Sequence, residues 1–133
     1  MPLLGFKKRF EQQIATGTKR QTIRAKRRDG RNPHPGDTLF LYVGLRTKSC
    51  HKIKEVKCES VEEIAIIRMS PLQVAVSIGG RFILYPEKEA LAVADGFSSW
   101  QEMVDFFEKE HGIDENGFWG LLIRWGGGSL WTK

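Results

Sequence analysis

Short apolar segments that alternate on a two-residue period, each closed by glycine or proline, constrain this chain more than any other feature. At positions 38–44, Leu39, Leu41 and Val43 alternate with Thr38, Phe40 and Tyr42. Successive side chains of a strand point to opposite faces, so both faces of this segment are covered. Val74, Val76 and Ile78 alternate up to Gly79-Gly80, and an apolar run at 81–85 follows. Two glycines between two such runs predict a hairpin. Residues 118–125 form a last strand, with Trp119, Leu121, Ile123 and Trp125 assigned to one face. Residues 52–58 read as a strand with broken alternation, and Ile64 and Ile66 mark another. Many short strands with few helices predict an α+β fold, not a parallel βαβ sheet. The expectation is one domain over 1–133: a small β-barrel of about five or six strands with three flanking helices.

The helices are read from capping and period. Phe6, Phe10 and Ile14 lie four apart, as on one helix face, and Gly17 is the expected left-handed stop. Pro86 suits a helix first turn, with Glu87 and Glu89 complementing the dipole. That helix is expected to end near Asp95-Gly96. A second begins at Ser98 with Gln101 as a capping box, runs through Trp100, Met103, Val104 and Phe107 towards the core, and ends at Gly112. Residues 25–36 read as an exposed basic loop, and 126–133 as a loose tail.

Composition excludes several classes. No apolar run approaches the ~20 residues that span a bilayer, so no membrane partner is expected. The first residues are too soon charged for a secretory signal. Cys50 and Cys58 lie eight apart in a strand-like segment, too far to bridge, and read as reduced thiols of a cytoplasmic protein. His34, His51 and His111 are scattered, and no cysteine pair has zinc spacing, so no metal or other cofactor is expected. The net charge of +5 is unevenly placed: Lys19, Arg20, Arg24, Lys26, Arg27, Arg28 and Arg31 crowd together, opposed only by Asp29. Such a patch is the footprint of a polyanion partner, RNA or a nucleotide. Phe40, Tyr42 and Phe118, on strand faces away from the expected core, are candidates for stacking on bases.

Chemistry concentrates in Gly17-Thr18-Lys19-Arg20-Gln21-Thr22-Ile23-Arg24. A strand entered after Gly17 points Thr22 and Arg24 to one side. A hydroxyl becomes a nucleophile only when a base takes its proton, and a lysine whose pKa is lowered by burial or a nearby cation can be that base. The segment resembles the ASCH family, a branch of the PUA-like barrels, in the pattern G-x-K-x-x-T-x-R followed by Pro35-Gly36-Asp37. The similarity extends to Leu45-Arg46-Thr47-Lys48, Asp95-Gly96-Phe97 and Phe118-Trp119-Gly120-Leu121-Leu122-Ile123.

The resemblance implies a PUA-like barrel and a nucleoside or RNA ligand. By analogy with acetylcytidine amidohydrolases it assigns Lys19 as base, Thr22 as nucleophile or its positioner, and Asp95 as proton donor. Asp95 stands where the small hydrolases carry a glutamate. Arg24, Arg20, Lys26, Arg27 and Arg28, read from the basic patch, and Arg46 and Lys48, at a position similar to the family's, are the candidate substrate- or nucleic-acid-binding cations. Three classes stay open: an amide hydrolase on a modified nucleoside, a non-catalytic RNA-binding module, and a ribonuclease. The oligomeric state stays open, monomer or weak dimer.

Overall fold

The alternating segments are realised as seven strands, not five or six. They are β1 (Leu3–Phe6), β2 (Gln21–Ala25), β3 (Thr38–Val43), β4 (His51–Ser70), β5 (Gln73–Ile78), β6 (Arg81–Ile83) and β7 (Phe118–Trp125). Three helices accompany them: α1 (Glu11–Thr16), α2 (Glu87–Ala94) and α3 (Trp100–His111). The computed structural model describes residues 3–126, so the tail expected at 126–133 lies outside them beyond its first residue. Pairing runs β1-β3-β4-β5-β6, with β7 on β4 and β2 on β7. No pairing among the described residues closes this path into a barrel; the fold is α+β. No helix of the described chain is long and apolar enough to cross a membrane. The chain divides into two units, the first holding described residues 3–21, 27–61 and 123–126, the second 22–26 and 62–122.

In the first unit β1 runs parallel to β3, pairing Leu4 with Leu41 and Phe6 with Val43. The alternation of β3 is as read: Leu39, Leu41 and Val43 are buried, while Thr38, Phe40 and Tyr42 are half-buried. Phe6 therefore belongs to a strand and not to the first helix. Leu4 and Phe6 share a strand face, and the ladder to β3 outweighs a helix as short as α1, which is marginal alone. A 3-10 turn over Lys8–Phe10 leads into α1. Gly17 ends α1 at φ 88°, the left-handed cap that only glycine takes without strain. Phe6 meets Trp125 edge-on, with ring centroids 6.2 Å apart.

The two strands expected at 52–58 and around Ile64 are one strand of 20 residues, β4. Its residues 51–57 pair with β3, with a register shift at Leu41/Tyr42, and residues 64–70 pair with β5. A strand that changes partner midway shows no single alternation, which is why the sequence read it as two.

In the second unit β4 and β5 pair Ile66 with Val76, and β5 turns through Gly79-Gly80 into β6. Both glycines have positive φ, 60° and 84°, as a two-residue hairpin turn of matching twist requires. β6 stops at Ile83, two residues short of expectation, because the chain turns at 85–86 into α2. The cap of α3 sits one residue later than read. Ser99 Oγ accepts from the Glu102 N–H at 3.1 Å, and Glu102 Oε1 accepts from the Ser98 N–H at 2.7 Å. Gln101 instead donates to Asp105. The carboxylate of Glu102 accepts a stronger bond than the Gln101 amide.

Trp100, Met103, Val104 and Phe107 are buried along α3, as the period predicts. Phe118 is buried too, 5.4 Å from the Phe107 ring and 4.7 Å from His111, so it offers no free face for a base. Trp119 is 62% exposed and its indole donates to Asn116 O, so it does not share the buried face of Leu121 and Ile123.

Candidate functional site

The turn closed by Gly17 determines where Lys19 goes. The N–H groups of Thr18 and Lys19 both donate to Gln13 O, at 2.9 and 3.0 Å, so the chain folds back over the end of α1. Lys19 is only 2% exposed. Its ammonium lies 4.8 Å from the centre of the Phe10 ring and 5.9 Å from that of Phe6, within the range of cation–π attraction. Arg20 is tied back to the same turn, its Nε donating to Gly17 O at 2.7 Å. Lys19 and Arg20 belong to the first unit.

Thr22, Arg24 and Asp95 belong to the second unit. Thr22 is 5% exposed, and Arg24 Nε donates to its Oγ1 at 3.2 Å. The one-face placement of Thr22 and Arg24 expected from strand period is thus seen as a direct bond. A donor aimed at this oxygen stabilises negative charge there and leaves the hydroxyl proton available to a base. The packing that presents these residues is tight. A Cβ on Gly120 of β7 would lie 2.3 Å from Arg24 O, so only glycine fits opposite this part of β2. Asp95 follows α2, with its N–H on Leu91 O at 3.0 Å, and is 4% exposed. It is not a solvated turn residue.

The other cations of the sequence reading are at the surface. Lys26 Nζ pairs with Glu63 at 2.9 Å, and Arg27 donates to Leu3 O at 3.0 Å. Arg28 is exposed. Arg46 and Lys48 are exposed in the turn after β3, where Arg46 takes a positive φ of 69°. The structure therefore bonds Thr22 to Arg24, ties Arg20 to Gly17, and leaves Lys26, Arg27, Arg28, Arg46 and Lys48 exposed. No family model matches the chain, and no curated protein and no solved structure matches it significantly.

Three polar groups escaped the sequence reading. Gln21 is buried next to Thr22. Lys88 is buried in the second unit, its Nζ donating to Val74 O at 2.9 Å between the rings of Tyr85 and Trp100. Pro86-Glu87-Lys88 reads as an ordinary solvated helix start, and only the two flanking aromatics could have signalled otherwise. Trp125 Nε1 is buried with no hydrogen-bond partner among the described residues. Cys50 is exposed and Cys58 buried, both reduced, and burial pushes the Cys58 thiol up.

Charge is segregated between the units. Among the described residues the first carries 14 Lys and Arg against 5 Asp and Glu, and the second 6 against 11. The net basicity of the chain thus comes from the first unit alone.

Proposed function

We propose that this chain acts on RNA or a modified nucleoside as a PUA-like, ASCH-type protein, and that it hydrolyses an amide through Lys19, Thr22 and Asp95. One observation carries the reading. Five polar or charged residues are buried among the described residues, and three of them are Lys19, Thr22 and Asp95. Burying an ammonium or a carboxylate costs several kcal/mol before any partner compensates, so such groups are uncommon without a role. The roles follow the resemblance. Thr22 Oγ attacks the acyl carbon and gives up its proton to a base, the role that the resemblance assigns to Lys19. The C–N bond breaks as Asp95 gives a proton to the leaving amine, and water then releases the acyl group from Thr22. Arg24, bonded to Thr22 Oγ1, supports the developing alkoxide.

The charge segregation favours a second reading, an RNA-binding module without catalysis. A panel of acetylated nucleosides and RNA, incubated with wild type and with Lys19→Ala, Thr22→Ala and Asp95→Asn, separates the two. Hydrolysis should be lost in each variant with the melting curve retained. The losses should not add, because a base and the hydroxyl it activates act as a unit. A wild type that binds RNA and releases no acyl group leaves the binding module standing. One that does neither overturns both.

A further inference from the structure

We infer that the first unit holds two bases of single-stranded RNA on the solvent face of β3, through Phe40 and Tyr42; this rests on the RNA reading above. Leu39, Leu41 and Val43 turn inward, so Phe40 and Tyr42 project from the opposite face and are only half-buried. The register shows what surrounds them. Leu3 of β1 lies beside Phe40, and Gly5 beside Tyr42, with the Leu45 side chain packed over the glycine. On the other flank β4 sets Lys57 opposite Thr38, Glu55 opposite Phe40 and Lys52 opposite Tyr42. Directly opposite residues of a ladder share a face, so two aromatic rings stand beside two ammonium groups.

Glu55 is the one carboxylate in this row, and Lys52 Nζ holds it at 2.5 Å. Arg27 adds a guanidinium at the β1 side through its bond to Leu3 O. Flat rings within a net-positive unit match the chemistry of single-strand binding, where rings hold bases and cations hold phosphates.

The spacing selects the strand. Residues two apart on a strand lie about 6.6 Å apart, whereas duplex bases rise about 3.4 Å. Two bases on Phe40 and Tyr42 must therefore be unstacked from each other, which a single strand permits and a duplex opposes.

The probe is a fluorescein-labelled ten-nucleotide oligouridylate, read by anisotropy beside a duplex RNA of equal length. Phe40→Leu with Tyr42→Leu should weaken oligouridylate binding about ten- to a hundredfold and leave duplex binding and its salt dependence unchanged. Ultraviolet crosslinking of wild type to the same probe, read by peptide mass spectrometry, should mark the peptide holding residues 38–43 and needs no folded variant. Binding of the probe with crosslinks only elsewhere, or with full affinity in the double variant, overturns the platform while the RNA reading stands. A wild type that binds neither probe overturns the RNA reading itself.

Discussion

Two histidines give the chain opposite responses to acid, each for a visible reason. The hydrogen bond from His51 Nε2 to Glu11, 2.7 Å, raises the His51 pKa above its ordinary 6.5, and the Ser49 carbonyl adds to it. A raised base is stabilising in its charged form. That contribution is complete below pH about 6.5 and is lost as pH rises through the raised value. His111 is lowered because the Phe107 and Phe118 rings beside it partly desolvate its charged form, although the residue stays exposed. Its contribution is complete above the ordinary value and is lost as pH falls through 6.5 towards the lowered one. Thermal melts between pH 5 and 8 should show Glu11→Gln flattening the alkaline side of the profile and His111→Phe the acid side. Curves that stay parallel to wild type would remove either pair from the account. Both groups are exposed to solvent, so both effects should be small.

At the scale of elements, the join of β7 to β2 is the most demanding contact. Gly120→Ala would drive a methyl group to within 2.3 Å of Arg24 O, a backbone atom that cannot swing aside. It should destabilise by about 1–3 kcal/mol, the range for overpacking, and disturb Thr22 as it does so. Gly80→Ala, with open space around the new methyl but a φ of 84°, should cost about 1–2 kcal/mol through strain alone. Denaturant titration ranks the two, and a neutral Gly120→Ala would refute the close approach.

Elements were legible in the sequence where one rule acted alone. Gly17 had to be a cap, Gly79-Gly80 had to be a hairpin, and the period of α3 had one solution. Where two rules competed, the sequence misled. Phe6 satisfied both a helix spacing and a strand alternation, and only pairing with β3 decided it. Ser98 and Ser99 could each cap α3, and the carboxylate of Glu102 made the choice. The burial of Asp95 and Lys88 was invisible because the packing around α2 is not written near either residue. Thr22 with Arg24 was legible because strand period alone brings residues two apart to one side.

Across the molecule, the uneven charge makes salt a direct probe of the basic unit. Each phosphate neutralised on a single strand contributes about 0.7 to the slope of log affinity against log salt. Arg28 and Arg31 are exposed. Replacing both with serine should therefore lower the slope for the oligouridylate by up to about 1.4 between about 50 and 200 mM salt. Neutralising Glu110 and Glu115 of the acidic unit should leave the slope unchanged. An unaltered slope in the arginine variant would show that the loop after β2 does not meet the phosphates.

The division of the chain has a genetic consequence. Membership of the units changes at 21/22, 26/27, 61/62 and 122/123, so neither corresponds to one stretch of coding sequence. Residues 22–26 and 123–126 are each the short contribution that one unit takes from a distant part of the chain. No single exon-like cut or gene fusion can therefore transfer the basic unit to another protein without its acidic neighbour.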